Sequence, residues 1–213
     1  MLPLPALKNY IAVEGFDGIG KTELLNRIQA YLESKGVDVS RTREPGGSPV
    51  AEDLRTILKT KVMSAKVETL LMSAARADMA ETIRAALLAD RVVLADRCDW
   101  STFAYQGLSG QVTQQQIEWL SSFAVREIQP GLVIVLDAPV DVVLARRAGR
   151  GEEVDTLEAK YLSKMEEQRQ VYLRLARIHE HRAVVINAAQ SADAVFSIAK
   201  VIVDGYLAQS KSA

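Results

Sequence analysis

The residues best equipped for chemistry stand in one short run, Gly15-Phe16-Asp17-Gly18-Ile19-Gly20-Lys21-Thr22. It fits the phosphate-loop pattern G-x-x-x-x-G-K-[S/T]. Glycines let successive backbone N–H groups turn inward as a nest for an anion. A helix opening at the end of the run adds unpaired N–H groups and the positive end of its dipole. Lys21 supplies a mobile cation for the outer phosphates, and Thr22 a hydroxyl for Mg²⁺. The motif needs a strand before it and a helix after it, and the flanks provide both. Lys8–Glu14 reads as an apolar strand through Tyr10, Ile11, Ala12 and Val13, and Leu24, Leu25, Ile28 and Leu32 recur at helical spacing.

Other polar groups belong at the same place. Val92–Ala95 is an apolar run ending in Asp96, the Walker B pattern, so Asp96 is the expected partner of Thr22 at the metal. Asp137 ends a similar run, but the Ala-Pro after it favours a cap or structural role. Arg43, Arg55, Arg97, Arg146, Arg147 and Arg150 can all reach this rim. Transfer of a phosphoryl group between two nucleotides gathers several negative charges in one cleft, and guanidinium forks bind phosphate in bidentate fashion. A phosphate acceptor is already an anion and needs no general base, whereas a hydroxyl acceptor does. The surplus of arginine favours the phosphate acceptor; Asp17 and Glu44 are the acids that could serve a hydroxyl.

The elements that must position these groups alternate. Helices are expected at Lys21–Lys35, Ala51–Thr60, Val67–Ala89, Thr113–Ile128, Val140–Arg147, Thr156–His181 and Ala192–Ala208. Strands are expected at Lys8–Glu14, Val37–Thr42, Val92–Ala95, Leu132–Leu136 and Ala183–Ile186. In the third helix, Leu70, Leu71, Ala74, Ala75 and Met79 form the expected apolar side. Gly149–Asp155 reads as a mobile charged loop. Strands alternating with helices imply an α/β fold: a five-stranded parallel sheet with helices on both faces, its ligands at the carboxyl ends of the strands. The 213 residues suit one domain, 1–213, and 48 % hydrophobic content fills a core. The net charge of −1 gives no bulk field for nucleic acid. The single cysteine, Cys98, excludes an internal disulfide and reads as an unreactive thiol in the pocket wall. No apolar run approaches the roughly 20 residues of a membrane span, and MLPLPALKNY is too short and proline-broken for a signal peptide. A soluble cytoplasmic protein is expected. His179 and His181 read as helix-end surface residues, and Trp119 as core or a subunit interface.

The chain resembles the thymidylate kinases of bacterial type, a family of P-loop nucleoside monophosphate kinases. The resemblance is carried by VEGFDGIGKT, by TREPGG (Thr42–Gly47), and by Asp96-Arg97 with AYQG (Ala104–Gly107), and it extends over nearly the whole chain. It implies a P-loop NTPase fold with a short arginine-bearing lid at about 146–157. The implied activity is Mg²⁺-dependent transfer from ATP to a deoxynucleoside monophosphate, dTMP to dTDP foremost, in a homodimer. Under this resemblance Gly15 to Thr22 bind ATP, and Arg43, Arg55 and Arg97 hold the acceptor phosphate. Asp17 and Glu44 lie near its sugar with Tyr105, Arg76 addresses the base edge, and Thr102 and Gln106 line the base pocket. Lys21 and Arg97 are catalytic. Gly18 stands where some relatives carry a catalytic arginine, so a lid arginine, Arg146, Arg147 or above all Arg150, is expected to supply that cation.

The sequence departs from the family pattern around the base and the lid. Met72 occupies the place of a phenylalanine that stacks on the base. Cys98 stands where an aromatic or histidine is usual, Trp100 and Thr102 lie in a segment usually rich in serine, and Thr156 takes the place of a frequent arginine. These changes leave other readings: a kinase for another or modified deoxynucleoside monophosphate, a deoxynucleoside kinase, or a nucleotide-binding regulatory protein without transfer activity.

Overall fold

Three apolar runs pair at the centre of the molecule. In the computed structural model, which describes residues 9–125, 127–150 and 156–210, these are β1 (Tyr10–Glu14), β3 (Val92–Asp96) and β4 (Leu132–Asp137). Every residue of β1 is buried. Successive side chains of a strand point to opposite faces, so both faces of the sheet are covered here. The partly buried β2 (Val39–Arg43) and β5 (Ala183–Asn187) form the edges. All pairings are parallel and the order is β2-β3-β1-β4-β5. The register sets Val13 beside Asp96 and beside Ile134, so Glu14, Asp96 and Asp137 end on one rim.

The helices are α1 (Lys21–Ser34), α2 (Pro49–Thr60), α3 (Ala65–Leu88), α4 (Trp100–Ala104), α5 (Gln114–Val125), α6 (Val140–Arg150), α7 (Thr156–Tyr161), α8 (Met165–Ile178) and α9 (Ala192–Ser210). Most ends fall within two residues of expectation. The first strand was expected from Lys8, which lies outside the described residues, as do positions 151–155 of the expected lid loop; Gly149 and Arg150 are helical. Two expectations change. Leu70 was placed on the apolar side of α3, yet it is 57 % exposed, while Glu68, Met72, Ser73 and Arg76 are buried with Met79. Glu68 and Arg76 are paired with residues of other elements, while Ser73 donates to Thr69 O within the helix, and the two long-range pairings turn the helix. The long helix expected over Thr156–His181 is broken by a 3₁₀ turn at Leu162–Lys164. No glycine or proline breaks it. Lys160 and Tyr161 reach Glu68 of α3, and Lys164 Nζ donates to Leu108 O (2.6 Å), so tertiary anchors redirect the chain.

Candidate active site

The run Gly15–Thr22 folds from the end of β1 into the start of α1. Gly18 has φ +81°, and a Cβ there would lie 2.6 Å from Cδ of Arg147, so both backbone and space call for glycine. Phe16 and Ile19 turn their side chains into the core, which leaves their backbone to the loop. Lys21 is folded back: its Nζ donates to Gly15 O (2.9 Å) and Phe16 O (3.1 Å). Burial and the nearby Arg97 charge hold its pKa below the usual lysine value. Thr22 Oγ1 donates to Asp96 Oδ2 (2.8 Å). A hydroxyl and a carboxylate side by side are hard oxygen donors of the kind Mg²⁺ takes, with water and phosphate oxygens completing its shell. Among the described residues no group of three or more His, Cys, Asp or Glu could hold a metal ion.

Arg97 follows β3 in the left-handed region, φ 79°. A non-glycine residue there is costly and needs support. Glu14, buried at the end of β1, provides it: its carboxylate accepts from Cys98 N (2.8 Å), Ser101 N (3.1 Å) and Ser101 Oγ (2.8 Å). The guanidinium then reaches back over the loop. Nη1 donates to Gly15 O (3.1 Å), Ser101 Oγ (2.9 Å) and Tyr172 Oη (3.2 Å), and Nη2 to Tyr105 Oη (3.0 Å) and the Asp17 carboxylate. Tyr105 Oη donates to Asp17 Oδ2 (2.6 Å). Burial alone would raise the Asp17 pKa, but Arg97, Lys21 and Tyr105 outweigh it and bring it down to about 2.

Beside this cluster lies a cleft of about 560 Å³ lined by Asp17, Glu44, Arg55, Met72, Tyr105 and Gln106, among others. Glu44 accepts from Arg76 Nε (2.8 Å) and Nη2 (2.6 Å), and Nη2 also donates to Thr102 Oγ1 (2.9 Å). Thr102 thus meets Arg76 rather than the cleft. Arg76 is 2 % exposed, and its Nη1 has no partner; neither has the buried Oε1 of Gln106. Arg55 Nη1 donates to Pro45 O (2.8 Å), and the more exposed Arg43 donates to Glu52 Oε2 (2.8 Å). Asp17, Glu44, Arg55 and Arg97 also border a second cleft of about 1010 Å³ over Lys21, Thr22 and Asp96. Gly18, Gly20 and Glu23 join that to a third, of about 650 Å³, against Arg146 and Gln190. The clefts run end to end, with the phosphate loop in the middle.

The family model described as thymidylate kinase matches residues 13–198. The chain belongs to the thymidylate kinase family. It is 40 % identical over 202 residues to a thymidylate kinase of Pseudomonas putida strain W619, covering 93 % of this chain and 97 % of that protein. It is 40 % identical to that of Pseudomonas entomophila strain L48, over 93 % and 96 %. With that of Pseudomonas putida strain F1 the identity is 41 %, over 87 % and 90 %.

The arginines that a thymidylate kinase lid would supply are placed unequally. Arg146 is locked to backbone, donating to Ala188 O (2.6 Å), Ala189 O (2.9 Å) and Gln190 O (3.1 Å), and it faces the third cleft. Arg147 is buried against Gly18 of the loop. The side chains of Arg150 and Thr156 lie outside the described residues. Asp137 receives a fork from Arg169 Nε (2.6 Å) and Nη2 (3.1 Å), a structural tie between β4 and α8. Sequence reasoning missed Glu14, Ser101 and Tyr172, which hold the Arg97 turn, and Glu68 beneath Gln106. For Glu14 there was a signal: an acid closing an apolar run one residue before the glycine loop. For the others the pattern carried none.

Proposed function

We propose that this chain transfers the γ-phosphoryl group of ATP to dTMP, giving dTDP and ADP. The carrying observation is the end-to-end series of clefts, which can seat two nucleotides with their phosphates meeting over Lys21, Thr22, Asp96 and Arg97. In this reading the loop N–H groups and Lys21 hold the donor phosphates. Lys21 leaves its two carbonyl partners to do so. Arg97, Arg55 and Arg43 bind the acceptor phosphate, and Arg97 keeps it in line with the donor. The position of Arg147 over Gly18 supports it as the lid's cation for the transferred group, and the fixed guanidinium of Arg146 walls the donor base. Mg²⁺, when bound at Thr22 and Asp96, neutralises charge on the donor phosphates. No general base is required. Asp17, at a pKa of about 2, is a poor one, and Glu44 is committed to Arg76, which disfavours a hydroxyl acceptor.

The base is read by the two partnerless buried atoms. Arg76 Nη1 can only donate, and Gln106 Oε1 can only accept. A 4-oxo pyrimidine offers the matching edge, O4 as acceptor and N3–H as donor, while cytosine offers the reverse. The names of the relatives agree with this choice. We place the protein in the cytoplasm as a single domain that pairs as a homodimer. Trp119 and Phe123, stacked at 5.6 Å and 65 % and 70 % exposed on α5, are apolar surface that a second copy would cover. No helix among the described residues is long and apolar enough to cross a membrane. The test is ADP release with ATP, Mg²⁺ and dTMP, dUMP, dCMP, dAMP or dGMP. The proposal expects turnover greatest with dTMP; no release with any of them would refute it, and a preference for dCMP would refute the base assignment.

A further inference from the structure

Gln106 can read a base edge only if its amide is held one way round, and what holds it is Glu68. This carboxylate is 2 % exposed, one helical turn before Met72 on α3. Its Oε2 accepts from Gln106 Nε2 (3.2 Å) and from Tyr161 Oη (2.7 Å). Its Oε1 is paired with the Lys160 ammonium, which also donates to Met63 O (3.3 Å). A carboxylate paired with an ammonium has no proton to give and can only accept. Gln106 must therefore turn its NH₂ toward Glu68, and its oxygen is left as the unpartnered atom beside the acceptor cleft. Reversing the amide would set oxygen against carboxylate, two acceptors with no proton between them, in a buried place where an unmade bond is costly.

We infer that Glu68 is a specificity-positioning residue: with Lys160 and Tyr161 of α7 it fixes the Gln106 amide so that the pocket accepts from N3–H of a 4-oxo pyrimidine and rejects a 4-amino one. The inference rests on the dTMP kinase reading above. It also ties base selection to α7, the helix that follows the proposed lid.

The test compares kcat/KM for dTMP and dCMP in the full-length enzyme and in Glu68→Gln and Lys160→Met. A glutamine at position 68 can donate as well as accept, so Gln106 becomes free to turn over. The dTMP-over-dCMP ratio is expected to fall about tenfold or more in Glu68→Gln, and in the same direction by less in Lys160→Met, with KM for ATP unchanged. A merely structural role would lower turnover with both acceptors alike and leave the ratio where it was. Should Glu68→Gln fail to fold, Lys160→Met, altered at a half-exposed side chain, decides alone. An unchanged ratio in the folded variants overturns the inference while the kinase reading stands. A wild-type enzyme inactive on dTMP overturns both.

Discussion

The proposed phosphate end and the proposed base end of the acceptor cleft are built on opposite plans. Around the loop, polar and charged groups are satisfied by partners they can exchange: Lys21 by two carbonyls, Thr22 by Asp96, Arg97 by Asp17 and two tyrosines. Phosphates and a metal can displace these partners. At the proposed base end, two buried sets are each locked internally, Arg76 with Glu44 and Thr102, and Gln106 with Glu68, and each leaves a single atom over. Exchangeable partners suit chemistry, in which charge moves; fixed partners suit recognition, in which donors and acceptors must keep their places.

The sharpest break of this comparison is a pair of variants. Lys21→Ala should lower kcat about 10³-fold or more and leave the urea midpoint close to wild type, since its partners are backbone carbonyls that other donors can satisfy. Arg76→Ala should do the opposite in kind. It strands the Glu44 carboxylate in the interior and should cost about 3–5 kcal/mol, read as a lowered urea midpoint with an unchanged slope. Equal stability losses in the two variants would erase the distinction.

A smaller effect follows from Asp17. Its pKa of about 2 in the folded state lies below the ordinary aspartate value of 3.8, so the native state prefers the charged form. That contribution, about 2 kcal/mol, is complete above the unfolded value and disappears as the pH falls through about 2. Wild type should therefore exceed Asp17→Asn in stability at pH 5 and lose the margin in strong acid, as followed by denaturant titration at each pH. A margin independent of pH would mean that Arg97 does not hold the charged form. The smallest effect is expected at Met72→Phe, which would set a ring in the cleft wall where the base is proposed to lie. It should lower KM for dTMP by a few-fold, up to about tenfold, with little change in kcat. A rise in KM would show that this cleft is shaped around the thioether.

How far the sequence could be read follows the same division. β1, β3 and β4 were legible because central parallel strands are continuous apolar runs, and the phosphate loop because its chemistry is local. The base end was legible only through resemblance. Its residues act through partners far along the chain: Glu44 meets Arg76 across 32 positions, and Tyr161 meets Glu68 across 93. Helical periodicity treats Glu68 and Arg76 as surface and Leu70 as core, and burial with paired charges reverses both. The break between α7 and α8 has the same origin, since nothing local stops that helix. Arg97's turn depends on Glu14, 84 positions from Cys98, which no motif spacing could reveal.

In the proposed reaction two nucleotides meet over this loop and a phosphoryl group passes between them. Its most direct test follows the label from [γ-³²P]ATP in a single turnover with dTMP and Mg²⁺, separating dTDP, ATP and inorganic phosphate. Label is expected in dTDP, with near-complete loss of that label in Lys21→Ala. Label appearing only in inorganic phosphate, or remaining in ATP while both nucleotides bind, would contradict it.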